Sequence, residues 1–314
     1  MSFTDTVKGE LARAECAWPC CARAELNAAL LLSGGVSFRG RGRYGLSLVC
    51  EQNAVSRYYF ALIKKYFSVS CEIRTLRMTQ LGERIKYELV FPDESVPSVM
   101  EALSLLDENS LFGVRQSPKD AVLEKGCCRA AFLKSAFLTS GSVSRPEKEY
   151  SLSVAAGSEE MAGCVAEIMR GYGLNAGVSP RKAQFVTYLK GAENISDFLT
   201  LTGAHSAVLS LENTRIIKQL RNQANRLANC DTNNIERTLK SAQSQIDDIE
   251  LVMEKTEFEK LPAPIQEIAY LRLNDPNASL TELGEMCSPP IGKSGVNNRL
   301  RRISEIAKAI RDDE

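Results

Sequence analysis

Between Ile291 and Arg311 the chain carries six basic side chains against a single acid, Glu305. Its densest part, KSGVNNRLRR, brings Lys293, Ser294, Asn297, Asn298, Arg299, Arg301 and Arg302 close together. Asparagine can bond adenine bidentately and arginine can bond guanine, while lysine and arginine neutralise phosphates. These are side chains for reading bases and gripping a polyanion; a solvated basic helix face would carry the same types. A second basic stretch, residues 214–229, holds Arg215, Lys218, Arg221 and Arg226 without an acid. Within it Asn222, Asn225 and Asn229 recur at spacings of three and four, so on a helix they share a face with Arg226, next to Arg221. That face can contact bases and phosphates, or equally cap and bridge a helix pair. A third stretch, SFRGRGRYG, alternates Arg39, Arg41 and Arg43 with glycines, which suits phosphate contact from a turn and equally suits a plain exposed turn.

The elements that must position these groups can be read from periodicity. A final helix beginning near Lys293 carries the apolar stripe Val296, Leu300, Ile303, Ala307 and Ile310, spaced four, three, four and three apart, and is expected to bury Val296, Leu300 and Ile303. Before it, SLTELGEMC opens with Ser279 and Glu282 in capping-box spacing and offers Leu280 and Leu283 as its apolar face. The break SPPIG separates the two. Upstream, Ile265, Ile268, Ala269 and Leu271 mark another helix, stopped by NDP at 274–276. Two short helices across a tight break, the second basic, predict a helix-turn-helix; a helical hairpin with a solvated face is the other reading. Strand-like alternation stops after His205, and two helices are expected over roughly 212–229 and 232–255. The expected division is therefore residues 1–210 and an all-α part over 211–314.

Overall charge does not advertise this. Lysine plus arginine and aspartate plus glutamate both total 39, so a uniformly basic protein is excluded and any polyanion site must be local. The 314 residues allow two or three domains. No apolar run reaches the ~18–20 residues of a membrane span. The start, MSFTDTVKGELARAEC, lacks signal-peptide layout and reads as an amphipathic helix with Phe3, Val7 and Leu11 on one face. With no export signal, the ten cysteines point to reduced thiols in a cytosol. None forms a CxxC pair, the Cys20-Cys21 and Cys127-Cys128 doublets do not have zinc-knuckle spacing, and His205 has no partner histidine. The thiols are accordingly expected as small buried hydrophobes, with no metal or other cofactor.

The first 210 residues are written twice. Cys20-Cys21 matches Cys127-Cys128, Leu26 matches Leu133, Ala29 matches Ala136, and Ser33-Gly34 matches Ser140-Gly141, all at an offset of 107. After a one-residue gap, YGLSLVCEQ from Tyr44 aligns with YSLSVAAGS from Tyr150. Each copy, about 1–106 and 107–210, reads as helix, two strands, helix, strands and short helix. The first copy is expected to place helices near 22–32 and 54–67, a hairpin at 36–39 and 46–50, and strands at 71–77 and 85–91. In IKYELVF the residues Ile85, Tyr87, Leu89 and Phe91 share one face, and AQFVTYLKG at 183–191 repeats that strand. A period this long excludes a solenoid and favours tandem duplication of an α+β unit. Small residues at Ser33-Gly34-Gly35 and Ser140-Gly141-Ser142 are expected to let the two apolar helices approach backbone to backbone.

The stretches AALLLSGGVS and SAFLTSGSVS resemble the paired central helices of LAGLIDADG homing endonucleases. In that family an acidic residue before the glycine holds divalent metal over the scissile phosphates, and the strands form a saddle over the duplex. Here those former metal positions are Ser33 and Ser140, and no acid lies between Asn27 and Cys50 or between Leu133 and Arg145. A hydroxyl is a poor substitute for the carboxylates a hard cation needs, so the scaffold is expected without the nuclease chemistry. Adding SFTDTVKGEL, CCRAAFLKSAFLTSGSVS, NRLANCDTNN and KSGVNNRLRRI, nearly the whole chain resembles the WhiA family of bacterial transcription regulators. The resemblance implies an α+β fold of two pseudo-symmetric LAGLIDADG-like halves followed by a helix-turn-helix domain. It implies sequence-specific binding to double-stranded promoter DNA, a role in sporulation septation or cell division, and action in the cytoplasm on the nucleoid. An active metal-dependent endonuclease, or a repeated domain serving as a platform for another regulator or RNA polymerase, are the alternatives.

Overall fold

The structure, a computed structural model, describes residues 2–38, 44–78, 84–107 and 113–312. It divides into two compact units, Met1–Gln219 and Leu220–Glu314.

The first unit opens with α1 (Phe3–Leu11), started by a capping box in which Ser2 and Asp5 each bond the other's backbone N–H. The first repeat then runs α2 (Pro19–Ser33), β1 (Gly34–Phe38), β2 (Tyr44–Cys50), α3 (Asn53–Phe67), β3 (Glu72–Met78), β4 (Arg84–Val90) and α4 (Val96–Ala102). After the short α5 (Asp120–Leu123), the second repeat runs α6 (Gly126–Ser140), β5 (Gly141–Val143), β6 (Ser151–Ala156), α7 (Glu159–Arg170), β7 (Gly177–Arg181), β8 (Gln184–Lys190) and α8 (Ala192–Thr202). Each repeat folds its strands into one antiparallel sheet, ordered β1-β2-β4-β3 in the first and β5-β6-β8-β7 in the second.

The duplication is visible in register as well as order. Gly34 pairs with Leu48, and its counterpart Gly141 pairs with Val154. The inward residues of β2, Leu46, Leu48 and Cys50, and those of β6, Leu152, Val154 and Ala156, are all buried. That is the period-two pattern of a sheet covered on one face.

Helices α2 and α6 lie together in the middle of the unit, and both are buried around most of their circumference. A helix whose apolar residues reach most of the way round its circumference has to sit in a core, with the polar groups it carries there hydrogen-bonded. Their glycines act differently from the sequence expectation. A Cβ on Gly34 would lie 2.3 Å from the Leu30 carbonyl oxygen, and one on Gly141 would lie 2.4 Å from the Phe137 ring and 2.6 Å from its Cα. What crowds each glycine is its own helix, because the chain turns from the last helical residue straight into a strand. Alanines on both helices, Ala28 and Ala29 on α2 and Ala136 on α6, are fully buried.

The interface is not symmetric. Glu25 on α2 and Lys134 on α6 form a buried ion pair at 3.5 Å, and Lys134 also donates to Tyr58 Oη (2.8 Å) and to the Ala14 carbonyl (3.1 Å). The Tyr58 hydroxyl donates to Glu25 Oε2. Ser135 Oγ donates to the Glu25 carbonyl at 2.5 Å and pairs with the Tyr59 hydroxyl at 2.6 Å. Burial pushes the Glu25 carboxyl up, against the pull of Lys134 and Tyr58.

The two helices expected over 212–229 and 232–255 are one, α9 (His205–Lys255). No glycine or proline interrupts it, and the weak helix formers around 229–234 are accommodated by local bonds. Thr232 Oγ1 donates to the Ala228 carbonyl and Thr238 Oγ1 to that of Asn234, both at 2.9 Å.

Beyond α9 the second unit has a 3-10 turn (Phe258–Lys260), α10 (Ala263–Asn274), α11 (Leu280–Met286) and α12 (Lys293–Asp312). Its core gathers Ile249 and Val252 of α9, Ile265, Ile268 and Ala269 of α10, Leu283 of α11, and Val296, Leu300, Ile303 and Ala307 of α12. Arg272, 2% exposed, donates to the Ala278 carbonyl at 2.7 Å and so secures the NDP loop. Arg311 Nη2 meets Asp248 Oδ1 at 2.7 Å and fixes the end of α12 to α9. Among the described residues no helix is long and apolar enough to cross a membrane.

Candidate nucleic-acid interface

Helices α11 and α12 are joined by a turn whose tightness is set at Gly284. The Ile291 N–H donates to the Gly284 carbonyl at 2.9 Å, and a Cβ on Gly284 would lie 2.2 Å from the Ile291 carbonyl oxygen. Only glycine lets the turn fold back against α11 this closely. The capping box at its start is present: Ser279 N–H donates to Glu282 Oε2 at 2.7 Å and Glu282 N–H to Ser279 Oγ at 3.3 Å.

Helix α12 separates two faces. At about 100° per residue, Val296, Leu300, Ile303 and Ala307 fall within an arc of about 60°, and all four are buried. Ser294, Asn298, Arg301 and Arg302 lie in the outer half of the circumference, with Asn297 at its edge, and all are exposed; Lys293 falls beside the buried stripe and is exposed as the first residue of the helix. Arg301 meets Glu305 one turn on at 3.6 Å, an exposed pair that leaves the guanidinium accessible. The first turn of α12 contains no acid, so its positive end is free for an anion.

Arg299 is placed otherwise. Its Nη1 donates to Glu267 Oε2 at 3.1 Å, on α10, and the side chain is only 22% exposed. Glu267 Oε1 also accepts the Ser288 N–H of the turn at 2.7 Å. Arg299 thus ties α10, the turn and α12 together rather than joining the outward row.

Arg221, Asn222, Asn225 and Arg226 are all exposed on α9. Of the bases just before them, Arg215 meets Glu212 at 3.6 Å, and Lys218 donates to the Pro146 carbonyl at 2.6 Å with its ammonium over the Tyr150 ring. Lys218 is therefore engaged within the repeated domain. Arg39, Arg41 and Arg43 lie outside the described residues.

Ser33 and Ser140 close α2 and α6, each half-buried. Ser140 Oγ is 3.4 Å from Thr139 Oγ1, a hydroxyl pair where a hard cation would need carboxylates. Among the described residues, one group of three or more histidine, cysteine, aspartate and glutamate side chains converges closely enough for a metal, and it stands at the other end of these helices. It comprises Cys20, Cys21, Cys127 and Cys128, whose sulfurs all lie within 4.8 Å of one another. Burial pushes the Cys128 thiol up to about 12 and that of Cys21 up as well. For Cys20 burial is outweighed by hydrogen bonds from the other three thiols, led by Cys128, and by nearby Lys125, so its thiol falls below the ordinary value. Local spacing hid this cluster because its ligands come from different repeats. The signal that could have found it was the doublet itself, repeated at the same offset as the helices.

Residues 19–106 match the family described as the WhiA N-terminal LAGLIDADG-like domain, 129–221 the WhiA LAGLIDADG-like domain, and 224–307 the WhiA C-terminal HTH domain. The chain is 41% identical over 312 residues to the probable cell division protein WhiA of Desulforamulus reducens, covering 99% of this chain and 97% of that protein. This chain belongs to the WhiA family. The WhiA relative from Heliobacterium modesticaldum, also named a probable cell division protein, is 40% identical over 98% of this chain and 97% of its own length. The crystal structure of full-length DUF199/WhiA from Thermatoga maritima has the same fold, with a TM-score of 0.60 at 23% identity over 98% of this chain and 99% of that one. The WhiA assignment accounts for both the two LAGLIDADG-like halves and the helix-turn-helix that follows them.

Proposed function

We propose that this chain is a sequence-specific DNA-binding transcription regulator that reads promoter DNA through α12 and does not cut it. The observation that carries the reading is the two-faced α12. Its apolar stripe is fixed in a core, its outer face presents Ser294, Asn297, Asn298, Arg301 and Arg302, and Lys293 is exposed at its first residue. In a helix-turn-helix the second helix enters the major groove, and asparagine and arginine are the types that read adenine and guanine there. Arg221, Asn222, Asn225 and Arg226 add contacts from α9, and Arg39, Arg41 and Arg43 are assigned to the DNA backbone. Arg299 contributes by holding the turn and α12 in register. The domain division at residues 1–210 and 211–314 belongs to the same reading.

In this reading its target genes serve division or sporulation septation and it acts in the cytoplasm on the nucleoid; the naming of relatives for cell division supports the division part. Serines at positions 33 and 140 support loss of nuclease chemistry. Genome-wide occupancy mapping of the wild-type chain and of Arg301→Ala tests the proposal. Discrete promoter peaks that collapse in the variant support it, and unchanged peaks contradict it. Incubating the purified chain with plasmid carrying a recovered site, in magnesium, is expected to leave the plasmid intact; site-specific cleavage would overturn the non-nuclease reading.

One observation favours a second role for the repeated domain. The first sheet exposes Phe38 (69%), Ile85 (47%) and Ile73 (46%), whereas no strand of the second sheet has an exposed large hydrophobic residue among those described. That difference between the halves fits a contact with another regulator or RNA polymerase on the first half. Deleting residues 1–210 would then abolish regulation while DNA binding persists.

A further inference from the structure

We propose that Cys20, Cys21, Cys127 and Cys128 form a tetrathiolate site for one zinc-class divalent cation, which staples the two repeats together at the N-terminal ends of α2 and α6.

The geometry is that of a ligand cage. A zinc–sulfur bond of about 2.3 Å in a tetrahedron sets the sulfurs about 3.8 Å apart. Cys127 Sγ and Cys128 Sγ are 4.0 Å apart, and every pair of the four lies within 4.8 Å. A disulfide needs about 2.0 Å, so two disulfides would draw the cluster well away from this spacing. All four donors are soft sulfurs, with no carboxylate or imidazole among them. A tetrahedral S4 set selects zinc over magnesium or calcium.

Charge is provided for as well. Each sulfur that binds loses its proton to solvent, so four thiolates around one divalent ion leave a net charge of −2. Both doublets sit in the first turn of a fifteen-residue helix, where the backbone dipole favours negative charge. Neither helix has a side-chain cap or an acid of its own in that turn. Lys125, next to the cluster, adds a cation.

The site differs in place and chemistry from the one an endonuclease of this fold would use. Cys20 and Ser33 are thirteen residues apart on α2, about 20 Å at 1.5 Å per residue. The duplication explains the ligand set: two side-by-side helices related by a pseudo-twofold axis bring equivalent doublets face to face. Each repeat supplies two ligands, so a bound ion crosslinks α2 to α6 without continuous chain between them.

The test uses the full chain, purified under reducing, anaerobic conditions, with zinc and cobalt(II) as probes. We expect about one zinc per chain by elemental analysis. Cobalt loading of the apo chain should give the intense visible bands of tetrahedral thiolate cobalt, displaced by zinc. Zinc should also protect these four thiols, and not Cys230, from alkylation read by peptide mass spectrometry. Cys127→Ser, at the exposed member, should weaken zinc binding by more than about 100-fold, beyond the usual cost of a lost outer-shell partner. Cys230→Ser, on α9, should bind as wild type. The proposal is overturned if the folded wild-type chain holds no stoichiometric zinc and gives no thiolate cobalt bands. It is equally overturned by an iron–sulfur chromophore, by a cross-repeat disulfide in the native chain, or by a folded Cys127→Ser with undiminished affinity. The wild-type zinc content and alkylation pattern decide the matter even if Cys127→Ser fails to fold.

Discussion

The repeated domain and the helix-turn-helix unit spend their polar side chains in opposite ways. In the first, Glu25, Lys134, Tyr58 and Ser135 turn inward and bond one another across the central helix pair. In the second, the polar residues of α12 turn outward, and Arg272 and Arg299 go to hold loop and turn. The contrast separates what a scaffold needs from what a reader needs. Where α2 and α6 end, a nuclease would aim acids at a metal; this chain has serines there and keeps the packing. Where α12 begins, Val296 and Leu300 are buried against the core and the opposite face is exposed.

That contrast can be broken from either side. The largest effect is expected from Lys134→Ala, which leaves Glu25 buried without its cation and should destabilise the first unit by about 3–5 kcal/mol in denaturant unfolding. A loss below 1 kcal/mol, on the order of a surface pair, would show that the interface does not depend on the buried charge. Leu300→Ala removes a core side chain of α12 and should cost the second unit about 2–5 kcal/mol. It should weaken DNA binding with it, while the unfolding of the first unit stays unchanged. If both units lose stability together, they are not separate in the sense argued. Smallest is Lys293→Ala, at the exposed start of α12. It should weaken binding to all DNA sequences alike and lower the salt-dependence slope by about one. A sequence-selective loss would move Lys293 from phosphate contact to base reading.

Much of this was legible in residue spacing. The offset of 107 foretold two equivalent sheets, and the four-three-four-three stripe foretold the buried face of α12. The same helical arithmetic also places Arg299 at the margin of that stripe, but its partner Glu267 is thirty-two residues away on another helix, which no local pattern shows. Glu25 aligns with Phe132 and Lys134 with Asn27, so the repeat alignment records the buried pair as two mismatches. Their meaning depends on which helix faces which. The cysteine cluster was missed for the related reason that metal motifs are sought within one segment, whereas here the axis of the duplication does the gathering. Where two helices are expected, α9 runs unbroken through its asparagines, since no glycine or proline stops it there.

The central claim is that α12 reads DNA through its outer face, and Arg301→Ala tests it most directly. Its binding to a promoter fragment recovered by occupancy mapping would be measured by fluorescence anisotropy at fixed salt, beside the wild type and a scrambled fragment. A bidentate base contact is worth about 1–3 kcal/mol, so specific affinity should fall roughly 5- to 150-fold while the helical content and the binding to scrambled DNA hold. Equal affinity of the folded variant and the wild type for the specific fragment would contradict the account.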